Sequence, residues 1–131
     1  MTNRISLIRG YLLSEDEYYR ESFESGTEAS INLENQALEN SDSELLDQLI
    51  EKKIEWGSAT DEMFEAIDNG DRERAIEILE TKVQILGNDL VDGFHQLAVN
   101  KEQEIQDLGL TIQDNNEITR TLVIIISLLV I

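Results

Sequence analysis

Apolar positions in the second half of the chain follow the spacing of one long α-helix. From Ala75 to Leu108 they recur in steps of four, four and three residues, with Lys101 occupying one position. This spacing keeps one helix face pointing in a constant direction, and its eleven-residue repeat favours an almost straight helix. The predicted inner positions are Ala75, Leu79, Val83, Leu86, Leu90, Phe94, Leu97, Ile105, Leu108 and Ile112.

The end of the chain is apolar apart from one serine. Residues 122–131 read LVIIISLLVI, which is about half of the roughly 20 residues that a helix needs to cross a bilayer. We therefore predict one rigid helix over about 71–121 that continues into the start of a membrane span. Gly87 and Gly93 each cost about 1 kcal/mol relative to Ala in a helix. They mark places of kinking or close approach, and a break within 81–88 remains an alternative.

Three shorter helices are predicted upstream, separated by recognisable turn sequences. The stretches SEDE from Ser14 and SDSE from Ser41 have the form of capping boxes, in which a serine and a glutamate bond each other's backbone amides. DNGD, from Asp68 to Asp71, is typical of a helix end followed by a new N-cap. The predicted helices span about 2–13, 15–39, 42–68 and 71–121.

The second and third helices carry inner stripes of different character. The stripe of the second helix is small and rather polar, whereas Trp56 anchors the stripe of the third and Ala59 allows close approach. The second stripe consists of Tyr19, Phe23, Gly26, Ser30, Leu33 and Ala37, and the third of Leu45, Leu49, Trp56, Met63 and Ile67.

The fold class that follows is all-α. A proline-free chain of 131 residues with helical periodicity is typical of one helical domain. We predict an antiparallel up-down four-helix bundle over 1–121, with its long last helix running into a truncated transmembrane segment at 122–131.

Charge and composition exclude several classes of function. The net charge of −18 repels phosphate backbones, so we predict no nucleic-acid partner. The chain lacks cysteine, which excludes thiol catalysis, thiolate metal sites and disulfides. The one histidine, His95, stands outside any metalloprotease or nucleophile motif. We predict no enzyme activity, no catalytic residue, no metal site and no cofactor.

One aromatic and basic cluster is a candidate for ligand binding. Arg9, Tyr11, Tyr18, Tyr19 and Arg20 flank the bend at the end of the first helix. Arginines beside tyrosines can hold a carboxylate or another small anion between helices. The alternative, which we favour, is that the tyrosines pack the corner while the arginines pair with nearby acids.

The same corner carries a resemblance to a known family. The run from Arg9 to Ser14, RGYLLS, followed by Tyr18, Tyr19 and Phe23, resembles the first corner of four-helix-bundle sensor domains. These domains, including the CHASE type, belong to bacterial methyl-accepting chemotaxis receptors and sensor histidine kinases. The later run Asn69-Gly70-Asp71 is similar to the corner before their last helix.

The resemblance implies an extracytoplasmic sensor domain of a transmembrane chemoreceptor, or alternatively of a histidine kinase. It implies a homodimer at the cell membrane that detects a small molecule or a sensor protein and passes helix shifts across the bilayer through its C-terminal helix. No ligand residue is implied by it. A tail-anchored helical adaptor or scaffold, binding another helix through an acidic amphipathic face, is the alternative from a different class.

Overall fold

The computed structural model describes residues 2–109 and 116–130, and all regular structure within them is helical. The all-α prediction is therefore confirmed. The helices are α1 Thr2–Ser14, α2 Glu17–Glu39, α3 Glu44–Asp68, α4 Arg72–Ile78, a π-helical turn Leu79–Val83, α5 Gln84–Asp107 and α6 Asn116–Val130.

The first corner uses a different cap from the predicted one. The α1 helix continues through Ser14, whose hydroxyl donates to the Gly10 carbonyl at 2.8 Å. Glu15 then takes a positive φ of 53°, and the Asp16 carboxylate accepts from the Tyr18 amide at 3.0 Å. The predicted capping box at Ser14 is wrong because the serine is still helical, and an acidic side chain caps α2 instead.

The next two junctions divide between a correction and a confirmation. Ser43, rather than Ser41, caps α3 by accepting from the Leu46 amide at 3.3 Å. At the third junction Gly70 has a φ of 75° and Asp71 caps α4. The predicted turn before the long helix is thus confirmed, because glycine adopts the left-handed conformation without steric cost.

The long helix is continuous from α4 through the π turn to α5. The residues at both ends of the π turn keep α-helical backbone angles, so the helix does not break within 81–88. Gly87 and Gly93 are places of close approach, as predicted. A Cβ atom on Gly87 would lie 2.7 Å from Ile5 Cδ1, and one on Gly93 would collide with the Leu49 side chain.

The prediction of one rod over 71–121 is wrong. The helix ends at Asp107, Leu108 follows as its C-cap, and Gly109 has a φ of 66°. Leu108, predicted to be an inner residue, is 59% exposed. Ile112, the last predicted inner position, lies outside the described residues.

The apolar run that follows is folded against the other helices. Leu122, Ile124, Ile125 and Leu128 are buried, and α6 contacts α5 and α2. The Thr121 hydroxyl lies 3.4 Å from the Asn40 carbonyl at the end of α2. Burial of these side chains releases more free energy than leaving them in water, which explains why the chain turns back.

No helix within 2–109 or 116–130 has the length and apolar character required to cross a membrane. The part of the predicted span that the structure describes belongs to α6. The predicted helix over 71–121 is thus interrupted after Asp107.

The core lies along the inner stripes of α3 and of the long helix. Trp56 is 1% exposed, and its Nε1 donates to the Val83 carbonyl in the π turn at 2.9 Å. The prediction that Trp56 anchors the core is confirmed. The buried predicted positions include Phe23, Ala37, Leu49, Met63, Ala75, Val83, Leu90, Phe94, Leu97 and Ile105.

Candidate functional site

Three charged side chains from three helices are buried together between α1, α2 and α3. Arg4, Glu34 and Lys53 are 3%, 9% and 6% exposed. Arginine, glutamate and lysine are almost never buried to this extent unless they are paired. This group, which we call the buried charge cluster, is therefore the most informative polar feature of the described structure.

The cluster forms because its members occupy inner positions of amphipathic helices. Lys53 follows Leu49 by four residues and precedes Trp56 by three, so it lies on the apolar stripe of α3. Glu34 follows Ser30 by four residues on the stripe of α2. Sequence analysis missed all three charged residues. The signal was the seven-residue gap between Leu49 and Trp56, because helical spacing places a lysine, either Lys52 or Lys53, on the stripe there.

Hydrogen bonds join the cluster to two hydroxyl side chains. Lys53 Nζ contacts both Glu34 Oε1 and the Ser30 hydroxyl. Ser30 Oγ also lies 3.1 Å from Glu34 Oε1. On the other side, Arg4 Nη2 donates to the Thr27 hydroxyl. The cluster thus links α1 and α3 to successive turns of α2.

Two aromatic rings hold the Arg4 guanidinium. Its central carbon lies 4.2 Å from the Phe23 ring centroid and 4.9 Å from that of Trp56. Cations are attracted to aromatic faces at such distances. Nε of Arg4 has no hydrogen-bond partner within residues 2–109 and 116–130. The rings therefore fix a buried guanidinium that retains an unused donor.

The cluster has an excess of positive charge. It contains one buried carboxylate, that of Glu34, which pairs with Lys53, and two buried basic side chains, Arg4 and Lys53. Burial lowers the pKa of Arg4 to about 10. Burial, together with the positive charge of Arg4, lowers the pKa of Lys53 to about 7. Desolvation disfavours the charged form of a base, and a nearby negative charge favours it.

A cavity of about 190 Å³ opens beside the cluster. Its apolar walls are Phe23, Ile31, Ile54 and Trp56, and its polar lining includes Arg4, Lys53, Glu34 and Asp61. Ile31 and Ile54 are 49% and 67% exposed, which places them at the mouth. Charged groups at the bottom and apolar walls near the mouth fit a small amphiphilic anion.

A second cavity, of about 380 Å³, continues the groove between α2 and α3. It shares Phe23, Thr27 and Asp61 with the first. At its far end Arg20 pairs with Asp68 at 2.8 Å and with Glu24 at 3.3 Å. The pairing with Asp68 raises the pKa of Arg20. This end of the groove already has its carboxylates, so it attracts anions less than the first cavity does.

The sequence-predicted candidates separate in the structure. The Tyr11 hydroxyl and Arg20 Nη1 lie 3.4 Å apart, so these two residues do come together. Arg9 instead bonds Gln84 at 2.9 Å. Tyr18 is 66% exposed, and Tyr19 packs against Gly10.

The arrangement at this corner agrees only in part with the alternative in which arginines pair with nearby acids, because Arg20 does so but Arg9 bonds an amide. Asp68 and Glu24 occupy the guanidinium of Arg20. The side chain of Arg9 is exposed and lies on the opposite side of α1, beside the long helix. The five predicted residues thus do not converge on one ligand-binding site.

The remaining polar chemistry is sparse. His95 is exposed on α5. Within the described ranges, no three acidic or histidine side chains are placed to hold a metal ion. Comparison with protein-family models, curated proteins and solved structures finds no match to this chain. The buried charge cluster and its cavity are consequently the strongest guide to function.

Proposed function

We propose that this chain is a ligand-binding sensor domain of a bacterial signalling receptor, with chemotaxis receptors as the first candidate. The ligand is a small organic anion that binds in the cavity between α1, α2 and α3. The domain lies outside the cytoplasm at the cell membrane and acts as a homodimer, as the family resemblance implies.

One observation carries the proposal: two buried basic side chains, Arg4 and Lys53, and the buried carboxylate of Glu34 lie beside an accessible cavity. An anion next to Arg4 would meet a guanidinium held by aromatic rings and short of one hydrogen-bond partner. Charge-assisted bonds to a carboxylate are among the strongest that a guanidinium makes. The apolar walls would hold the body of the ligand.

Trp56 connects the cavity with the long helix, and through it a bound ligand would act on that helix. Its ring lines the cavity, and its Nε1 bonds the Val83 carbonyl in the π turn. Single π turns within α-helices are frequent at functional sites. A ligand that moves Trp56 would shift the long helix relative to α3. Small helix shifts of this kind transmit signals in many proteins.

Thermal unfolding with small carboxylates and their neutral analogues tests the proposal. We expect benzoate, isobutyrate or acetate to raise the unfolding temperature, and benzamide or isobutyramide to have no effect. Ligand at a hundred times its dissociation constant should add about 2.7 kcal/mol to the free energy of unfolding. Equal behaviour of acids and amides, or no shift with any acid, would overturn the proposal.

Two variants and a control locate the site. Arg4→Gln should abolish the shift, whereas Arg74→Gln, at an exposed arginine on α4, should retain it. Gly57→Leu provides an independent variant, because Gly57 lines the cavity and a Cβ there meets no atom within 4 Å. We expect this variant to fold normally and to block binding by filling the cavity.

A second function is favoured by the outer face of α6. Val123 and Ile126 are 57% and 46% exposed, so α6 is apolar on both sides. A helix that is apolar all round is usually buried on every side, in a protein core or in a membrane. This observation supports the tail-anchored adaptor alternative, in which α6 leaves the core for a membrane. Flotation of the protein with liposomes, and its loss in Val123→Asp/Ile126→Asp, tests whether α6 binds a membrane.

A further inference from the structure

The side chain of Lys53 is buried and lines the cavity between α1, α2 and α3. It faces Arg4 from α1 and Glu34 from α2, and Asp61 of its own helix lines the same cavity. Every described residue that lines the cavity belongs to α1, α2 or α3. Lys53 is therefore the one amine that an anion in this cavity would meet, and it is 6% exposed.

The protonation of Lys53 depends on whether an anion occupies the cavity, because two basic side chains and one carboxylate are buried beside it. Without a ligand, the buried amine is disfavoured in its charged form by desolvation and by Arg4. An anion placed against the two basic side chains supplies the missing negative charge. It would stabilise the ammonium form through the short distances and low dielectric of the site.

We propose that the cavity binds its anion together with a proton, and that Lys53 accepts this proton. The inference rests on the proposed anion site and adds its regulation: ligand occupancy becomes sensitive to pH. Arg4 remains charged over the physiological range because burial leaves its pKa at about 10. Only Lys53, whose pKa lies at about 7, changes charge in that range among the basic residues of the cavity.

The sign of the pH dependence follows from linkage. Below pH 7 Lys53 is already protonated, so binding takes up no proton and the affinity is constant. Above pH 7 each bound anion must bring a proton, and the dissociation constant should rise towards about tenfold per pH unit. A simple carboxylate such as benzoate stays ionised throughout this range, so its own titration contributes nothing.

Isothermal titration calorimetry with benzoate measures the proton directly. At pH 8, in HEPES and in Tris, whose ionisation enthalpies differ, we expect an uptake approaching one proton per ligand. At pH 6 we expect none. Lys53→Met should abolish the uptake at pH 8, while His95→Gln should leave it unchanged, because His95 is exposed on α5 away from the cavity.

The outcomes separate the two proposals. Benzoate binding with the same dissociation constant at pH 6 and pH 9, and without proton uptake, would overturn the linkage and leave the anion site standing. No binding of benzoate at any pH would overturn both.

A measurement on the wild-type protein keeps the inference testable if the Lys53→Met variant does not fold. In ¹³C-lysine-labelled wild-type protein, one side-chain Cε resonance should titrate near pH 7 and move upward in pH when benzoate is added. If all four lysine side chains titrate near their ordinary value of about 10.4, the inference is wrong.

Discussion

The two sides of α3 are built in opposite ways. Towards the long helix, α3 is tightly packed, with Leu49 against Gly93 and the Trp56 indole bonded to Val83. Towards α2 it contributes to two cavities and to the buried charge cluster. One helix thus provides both a dry interface and a polar, open one.

The contrast extends to the two ion pairs that join α2 and α3. The Lys53–Glu34 pair is buried, with side chains 6% and 12% exposed, whereas the Arg20–Asp68 pair is 26% and 50% exposed. The pKa of Lys53 is lowered and that of Arg20 is raised. Desolvation dominates in the first pair and attraction in the second, so burial decides what a pair of opposite charges does.

Removing the carboxylate of the buried pair should have the largest effect on stability. Glu34→Ala leaves Arg4 and Lys53 facing each other without a counter-charge, and we expect a loss of about 3–5 kcal/mol in the free energy of unfolding. Urea unfolding at pH 6, where Lys53 is protonated, measures it. Replacing both partners, as in Glu34→Leu/Lys53→Met, should recover most of the loss. A cost below about 1 kcal/mol for Glu34→Ala would contradict this account of the pair.

The pH dependence of stability should also identify Lys53. Its pKa is about 7 when folded and 10.5 in the ordinary state, so the unfolded chain binds the extra proton between these values. Stability contributed by Lys53 should therefore rise with pH from 7 to 10.5, by at most about 1.4 kcal/mol per unit. Unfolding at pH 7, 8 and 9 should show a growing difference between wild type and Lys53→Met. A difference that is constant with pH would exclude a depressed pKa.

The tight side of α3 should resist even one added methyl group. Gly93→Ala places a Cβ against the Leu49 side chain, and overpacking of this kind costs about 1–3 kcal/mol, of which the gain in helix propensity returns about 1 kcal/mol at most. The matched change on the open side is Gly57→Ala, whose Cβ meets nothing within 4 Å. We expect it to stabilise by up to about 1 kcal/mol through helix propensity. Opposite signs in urea unfolding would confirm the contrast, and equal signs would remove it.

The exposed pair should contribute least. Asp68→Ala removes the partner of Arg20, but exposed pairs are typically worth about 0–1 kcal/mol. We expect a small loss that shrinks further in 1 M salt, because solvent screens this pair. A loss comparable with that of Glu34→Ala would mean that exposure does not distinguish the two pairs.

Several elements could be predicted because their causes are local. The turn at Gly70 and Asp71 depends on a backbone conformation and a cap that adjacent residues supply. The stripe through Leu90, Phe94 and Leu97 depends only on helical spacing. The caps at Asp16 and Ser43 were missed because neighbouring serines and acids offer equivalent local choices.

The candidate site could be predicted only in part. The sequence places a lysine on the apolar stripe of α3. The missing apolar residue between Leu49 and Trp56 was therefore a usable signal. The partners come from helices 19 and 49 residues away, since Glu34 and Arg4 precede Lys53 by those separations. Local periodicity carries no information on which stripes face each other, so the sequence could not assign Glu34 to Lys53.

Sequence alone determined that this chain is helical, where most of its helices lie and which of their faces turn inward, because these properties follow from residues within a few turns of each other. Only the tertiary structure decided where the apolar run from Leu122 to Leu128 goes. An apolar face gains a similar free energy from lipid or from other helices, and in this structure it packs against α5 and α2. The same long-range packing placed Arg4, Glu34 and Lys53 together in the interior, where they form the candidate site.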